Sequence, residues 1–389
     1  MKRVPLTECW SFSGATPKKF EGEKRYISTG ALDRDHVNES DVEMVTYENR
    51  PSRANLEVSE GDILFAKMAS TEKTFMVDSV AANDIYSTGF CAVKAKESKI
   101  LPKCLYYFLS SSLFLEQKDK NSSGATQKAI TNSGLSKIYI NLPDLSEQQE
   151  FITQMNSLCS LITARREQLA KLDELIKSRF IEMFGASGEE RFPMKTLSQI
   201  IAKDKYSLKR GPFGGALKKE DFVNKGYLVY EQRHAIHNDF EYEKYYITPQ
   251  KYEDMIMFKV APGDLIISCS GVTLGRIAEI PSHAKEGIIN QALLKVSLDQ
   301  KIMTNTFFIH QFRSDRIQDI LFGFCRGSGI PNFPSMSEVK AVQFICPPIE
   351  LQTQFADFVE QIDKSKFEIQ KSLEQLEILK KALMQQYFG

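Results

Sequence analysis

Pro143-Asp144-Leu145-Ser146-Glu147-Gln148-Gln149-Glu150-Phe151 opens a stretch that closes on Phe184-Gly185. Pro347-Pro348-Ile349-Glu350-Leu351-Gln352-Thr353-Gln354-Phe355 opens another that closes on Phe388-Gly389. The two run in register, without a gap, at an offset of 204 residues, from 185 to 389. The offset pairs Pro143 with Pro347, Gln148 with Gln352, Phe151 with Phe355, Leu158 with Ile362, Leu169 with Leu373, Leu172 with Leu376 and Leu175 with Leu379. A chain that ends twice in this way is a duplication, module then helix, module then helix, built to engage two similar targets.

Within the tails, Phe151, Met155, Leu158, Ile162, Leu169, Leu172 and Ile176 follow steps of four and three, as do Phe355, Val359, Ile362, Ile369, Leu373 and Leu376. This spacing predicts two long helices with a coiled-coil seam. Arg165 interrupts the first seam where the second has Ile369, and Lys366 interrupts the second where the first has Ile162. Charged seam positions select partners, so the two unlike helices are expected to pair with each other, antiparallel, as a pseudo-two-fold repeat. The plainer alternative is that Arg165 and Lys366 sit at the seam edge with their heads in water. A helix over residues 146–183 is roughly 55 Å long, enough to hold two domains about one DNA turn, roughly 34 Å, apart.

Outward from the tails, residues 1–142 alternate short apolar runs (42–47, 62–65, 90–93, 138–142) with Gly, Pro, Asn and Ser clusters, which predicts a strand-rich α+β module. One helix over residues 101–117 is expected to pack across its sheet. The second half repeats the plan, with strands at 265–267, 293–296 and 342–346 and a helix over 306–322, and Gly61-Asp62-Ile63-Leu64 returns as Gly263-Asp264-Leu265-Ile266. The predicted division is a first module over 1–145, a helix over 146–185, a second module over 186–346 and a second helix over 347–389.

Composition bounds the function. With 42% apolar residues in 389, the chain can bury two cores. Fifty basic residues balance fifty acidic ones, so net charge does not favour nucleic acid. Charge is nevertheless sorted by segment. Lys203, Lys205, Lys209, Arg210, Lys218 and Lys219 face Asp204 alone, whereas the last helix carries Glu350, Asp357, Glu360, Asp363, Glu368, Glu374 and Glu377. The seven cysteines are scattered, without a Cys-x-x-Cys pair, and are expected to be reduced and structural. No apolar run approaches the roughly 18 residues of a membrane span, and the expected location is cytoplasmic.

Ser13-Gly14-Ala15-Thr16-Pro17-Lys18 followed by residues 26–32, Tyr-Ile-Ser-Thr-Gly-Ala-Leu, resembles the opening of a target recognition domain in the specificity subunit of type I restriction-modification enzymes. Residues 209–222, Lys-Arg-Gly-Pro-Phe-Gly-Gly-Ala-Leu-Lys-Lys-Glu-Asp-Phe, with Gly226-Tyr227-Leu228-Val229-Tyr230-Glu231-Gln232, are similar to a second such opening. Pro262-Gly263-Asp264-Leu265-Ile266-Ile267-Ser268 with Gly271-Val272-Thr273-Leu274-Gly275-Arg276, and the Pro-rich turns into Gln-bearing helices, are similar to the later motifs. The first module departs at Phe65-Ala66-Lys67-Met68-Ala69-Ser70, where the second has Ser268-Cys269-Ser270-Gly271-Val272-Thr273.

The resemblance implies a non-catalytic reader of double-stranded DNA with two recognition domains. It would join two modification subunits, which methylate adenine with S-adenosylmethionine, and a motor-nuclease restriction subunit; S-adenosylmethionine, ATP and magnesium would then sit on the partners. The residues themselves include no Asn/Asp-Pro-Pro-Tyr/Phe sequence, no Gly-x-x-x-x-Gly-Lys-Ser/Thr phosphate cradle and no metal-ligand spacing. Gly211-Pro212-Phe213-Gly214-Gly215 lacks the Lys-Ser/Thr of a nucleotide loop and reads as a tight turn. A methyltransferase complete in one chain is therefore disfavoured. A coiled-coil adaptor with two protein-binding heads fits neutral charge equally well, and steep salt dependence of duplex binding separates it from a DNA reader.

DNA contacts should come from loops with Lys or Arg for phosphates and Arg, Asn, Gln or Ser for base edges. In the second module these are Lys209, Arg210, Lys218 and Lys219 for the backbone, and Gln232, Arg233, His234, Ser270, Thr273, Arg276, Asn290 and Gln291 for bases. Arg326, in a loop expected over 324–333 with Gly327, is a further phosphate candidate. The first module offers Thr16, Lys18, Lys19, Lys67, Ser70, Gln127 and Lys128, the last two in a loop over 121–130 with Gly124. Solvated charge for Lys218-Lys219, turn chemistry for Asn290-Gln291 and an ordinary hydrogen-bonded histidine for His234 are the plainer alternatives.

Overall fold

The computed structural model describes residues 2–185, 191–271, 273–323 and 333–389. The chain forms two compact units, Met1–Gln168 with Ile369–Gly389, and Leu169–Glu368.

In the first unit a four-stranded sheet runs Glu43–Val45, Lys24–Ile27, Ile85–Ser87, Ala54–Glu57, with its central pair parallel. A second, antiparallel sheet runs Trp10–Phe12, Phe90–Ala95, Ile63–Ala66, Thr74–Met76, and Lys2–Pro5 pairs with Tyr139–Leu142. The other unit repeats this plan. Phe222–Val223, Tyr246–Ile247, Tyr227–Tyr230, Gly287–Ile289 and Lys259–Val260 form one sheet, again with a parallel central pair. Leu208–Arg210, Leu293–Val296, Leu265–Ser268 and Ile277–Glu279 form the other, and Met194–Thr196 pairs with Gln343–Ile345.

The apolar runs at Ile63–Ala66 and Leu265–Ser268 are buried throughout because each strand serves two cores. Ile63 and Phe65 point into one cluster and Leu64 and Ala66 into another, while Leu265 and Ile267 are separated from Ile266 in the same way. Successive side chains leave a strand on opposite faces, so a strand covered on both sides reads as a continuous apolar stretch. Before each, Asp62 or Asp264 closes the entry turn by accepting the N–H of Ser59 or Ala261, at 2.9 and 2.8 Å.

The helices expected over 101–117 and 306–322 are each broken in two. Pro102–Leu109 and Ser112–Lys120 meet at Ser110-Ser111, where the Ser111 hydroxyl caps the second helix by accepting Phe114 N–H at 3.1 Å. Asn305–Phe312 and Asp315–Phe322 meet at Arg313-Ser314. Serine competes for backbone partners inside a helix and is favoured at its start; Ser111 caps the second helix of the first pair, whereas the Ser314 hydroxyl donates to Gln311 O at 2.6 Å and closes the helix before it.

The two long helices span Leu145–Phe184 and Ile349–Phe388, 40 residues each. Each carries a fully buried glutamine in its first turn. Gln148 donates to Lys99 and Pro143 carbonyls at 2.9 Å each and accepts Leu101 N–H at 2.8 Å. Gln352 donates to Ile302 and Pro347 carbonyls at 3.0 and 2.9 Å and accepts Thr304 N–H at 2.9 Å. Within the first unit Phe151 meets Tyr387 and Phe388, ring centroids 4.7 and 5.1 Å apart, and Arg166 pairs with Glu377 at 2.7 Å. Within the other, Phe180 and Phe184 meet Phe355 at 5.4 and 5.7 Å, and Lys366 pairs with Asp173 at 2.7 Å. In both units the helices therefore run antiparallel, the start of one against the end of the other. Lys366 is used across the pair, whereas Arg165 bonds Gln168 on its own helix.

Burial pushes the thiols of Cys91, Cys104 and Cys269 up to about 12, which leaves them unreactive; Cys325 lies outside the described residues. Among the described residues no helix is long and apolar enough to cross a membrane.

Replacing Gln352 with Leu strands the Thr304 N–H and two carbonyls in the core, and should lower stability by about 3 kcal/mol in denaturant unfolding. Half-buried His310 lies edge-on to Phe355, 5.2 Å away, and burial beside Arg313 and Lys366, against the opposing pull of Asp173, takes its pKa down from 6.5 to about 4. The unfolded chain takes up this proton first, so stability is complete above pH 6.5 and falls as pH drops toward 4. The loss is on the order of 3 kcal/mol, and His310→Gln should flatten it in unfolding curves recorded across that range.

Candidate nucleic-acid interface

In the second module three chain segments leave the four-stranded sheet at one edge. Arg210 pairs with Leu294 and Ser268 with Leu293, so the loops after Arg210, after Ser268 and before Leu293 emerge together. Gly211 donates to Leu293 O at 2.9 Å, and Cys269 donates to Ala292 O at 2.8 Å. A Cβ on Gly211 would lie 1.8 Å from Asn290 O, so only glycine lets the two loops touch. The Ser268 hydroxyl accepts Arg276 N–H at 2.9 Å and donates to Thr273 O, which closes the hairpin carrying Ser270, Thr273 and Arg276. Gln232, on the helix Gln232–His237, donates to the Ser270 hydroxyl and ties that helix to the same edge.

The edge thus gathers Gln232, Ser270, Thr273, Arg276, Asn290 and Gln291, all exposed or half-buried. Arg233, next to Gln232, is exposed, with its guanidinium 4.4 Å above the Tyr242 ring and 3.6 Å from Asp239. Lys218 and Lys219 are exposed beyond Gly215, Lys218 3.8 Å from Glu220.

Four of the expected contacts change role. His234 is fully buried; Nδ1 accepts Glu231 N–H at 2.9 Å and Nε2 faces Tyr242 O at 2.9 Å, so both ring nitrogens are committed to the backbone. Asn290 spends its side-chain oxygen on its own turn, accepting Ala292 N–H at 3.0 Å. Lys209 lies 5.2 Å over the Phe258 ring rather than in the loop cluster. The Arg210 guanidinium is over Phe213 and Phe333, at 5.1 and 5.4 Å, which makes it a packing group rather than a free phosphate contact. Arg326 and Gly327 lie outside the described residues.

In the first module the matching edge carries Lys67, Ser70, Gln127 and Lys128. Ala69 donates to Lys128 O at 2.9 Å and Ile130 to Lys67 O at 2.8 Å. Residues 121–130, expected as a loop, contain a short hairpin, Ser122–Ser123 with Ala129–Ile130. Thr16, Lys18 and Lys19 are exposed but follow Ala15, which bridges to Glu57 of the other sheet, and Lys19 is 3.8 Å from Glu48. They do not join the Lys67–Ser70 loop through any hydrogen bond or ion pair described.

The loop where the two modules diverge is held by different means. Gly271 adopts φ +73° in the second module, whereas in the first Ser70 adopts φ +56°, a conformation uncommon outside glycine. Asp119 offsets the strain by accepting Ser70 N–H at 2.8 Å and its hydroxyl at 3.3 Å. Beside it Lys118, missed in the sequence, is 1% exposed and donates to Ala66, Met68 and Thr71 carbonyls at 3.1, 3.0 and 2.8 Å. Burial lowers its pKa to about 8, so at neutral pH it stays an ammonium whose three donors meet three acceptors. Lysine on a helix otherwise reads as solvated, and its buried position follows only from the folded loop. Lys118→Met should lower stability by about 2–4 kcal/mol and open residues 66–71 to limited proteolysis, with the second module's resistance unchanged.

Among the described residues no group of His, Cys, Asp or Glu could hold a metal ion. A family model for the type I restriction modification DNA specificity domain matches residues 8–174 and again 212–378. The type I restriction enzyme HindI specificity subunit of Haemophilus influenzae is 26% identical over 147 residues, 36% of this chain and 32% of that one. The StySPI specificity subunit of Salmonella potsdam is 21% identical over 293 residues, 70% and 61% of the two chains. The chain thus spans a third and three fifths of these relatives' lengths. A chain from a structure of the type I R-M system, concerned with complex assembly and conformational transition, shares the fold at TM-score 0.61 and 17% identity, covering 99% of this chain and 97% of its own.

Proposed function

The chain belongs to the type I restriction modification DNA specificity domain family, and on that premise we propose that it selects the DNA sequence on which a type I restriction-modification assembly acts. Each module reads one part of a bipartite double-stranded target. The chain performs no chemistry itself. It directs adenine methylation by two modification subunits, which carry S-adenosylmethionine, and cleavage by a motor-nuclease subunit, which carries ATP and magnesium, in the cytoplasm.

The observation that carries this reading is the repetition of one arrangement: in both modules, polar and basic loops converge at one edge of a four-stranded sheet whose strands are fixed by a core on each face. Rigid strands with variable loops suit sequence readout, because bases are distinguished by a few placed donors and acceptors. Both curated relatives are named specificity subunits of type I restriction enzymes. Exposed apolar residues on the helices, Leu161, Ile378 and Leu379 in the first unit and Leu175, Ile181 and Phe367 in the other, support docking of the partner subunits.

Mapping methylated adenines in cells that carry the chain and its modification partner should yield a two-part motif, and exchanging residues 1–145 for another module should alter one part alone. An uninterrupted motif, or change in both parts, would refute the reading. Arg276→Ala should cost about 1–3 kcal/mol of target binding and relax one position if it reads a base. Equal losses on target and random duplexes would make Arg276 a phosphate contact.

A further inference from the structure

Phe213 stands out in the second module because the residue is 68% exposed, at the loop edge described above. It is not a loose side chain. Pro212 before it is buried, and Gly211 is in contact with Asn290. The guanidinium of Arg210 lies over its ring and over that of Phe333, 8% exposed and 5.8 Å from Phe322 in the core. The Arg210 Nε is buried without a hydrogen-bond partner, so this guanidinium acts as a flat layer linking an outer ring to an inner one rather than as half of an ion pair.

We propose, on the basis of the DNA-reading function above, that Phe213 contacts a base of the bound duplex by its ring, wedging at or stacking on a locally opened step. Three features select a nucleobase as the occupant. The exposed group is aromatic and planar, and every base offers a π-face to such a ring. Donors lie close by: Lys219 and Lys218 are exposed a few residues on, the latter 3.8 Å from Glu220, and Gln291 and Ser270 are on the adjoining loops, which suits a phosphate-flanked base. The ring is also braced from behind, as insertion between base pairs requires, since partial unstacking works against the wedge. The first module presents Met68, 43% exposed and bridged to Ala129, in the loop at the corresponding edge, so an apolar group among the loops is a feature of both copies.

The full chain, with its modification partner, would be used to select bound sequences from a pool of random duplexes. Recovered sequences would then be resynthesised with 2-aminopurine at successive positions. Wild type should brighten the fluorescence at one position in the part read by the second module. Phe213→Ala should leave that position quenched and weaken binding to the selected duplex about tenfold, with random-duplex binding and thermal midpoint little changed, and Phe213→Trp should restore both signals. Unchanged binding and fluorescence in Phe213→Ala would overturn the proposal while leaving DNA reading intact. Loss of partner co-purification without loss of DNA discrimination would overturn it in favour of a protein contact. Failure of the wild type to select any sequence would overturn the function itself, and the ring contact with it.

Discussion

One amide group per unit sets the geometry from which the rest follows. Gln148 and Gln352 are wholly buried, and a buried amide is tolerable only when its hydrogen bonds are all made. Their partners are backbone groups of the segment that enters Pro102–Leu109 or Asn305–Phe312 and of the proline turn before the long helix. The side chain therefore locks the helix start to the module in one orientation. Three residues on, Phe151 and Phe355 then face the core and offer the ring against which the end of the other long helix packs. A leucine of similar volume could fill the space but could not specify the direction.

Features governed by local rules were legible in the sequence, and features assembled by tertiary contacts were not. The seams of the long helices appear in the order of Phe, Met, Leu and Ile because burial along a helix recurs every three or four residues, and each seam residue is buried or half-buried. The twice-covered strands were legible as apolar runs following Gly-Asp. The breaks at Ser110-Ser111 and Arg313-Ser314 were missed because apolar spacing continues across them, although a serine stands at the start of each following helix. At the site, the convergence of Ser270, Arg276 and Gln291 could be anticipated from loop composition. His234 could not be separated from them, since its burial depends on Tyr242 coming back over it, and Lys118 reads as a surface lysine until three carbonyls are placed around it.

Neutral overall charge is compatible with the proposed DNA reading, since that reading does not rest on general attraction to this surface. Much of its cationic content is already engaged: Arg210 with aromatic rings, Lys209 with Phe258, Arg233 with Tyr242 and Asp239, Lys19 with Glu48. What remains are loops held in defined conformations by internal hydrogen bonds, an arrangement that favours discrimination among sequences over tight binding to all of them.

The exchange of helix ends has a consequence for synthesis. Phe388 lies 5.1 Å from Phe151 and 5.3 Å from Phe108, so the core of the first module holds an empty place until more than two hundred further residues have been translated. Phe184, by contrast, precedes its neighbours Phe307 and Phe355 on the chain and is waiting when they arrive. The half made first is thus finished last, and until then it exposes an apolar socket whose natural occupant is still on the ribosome.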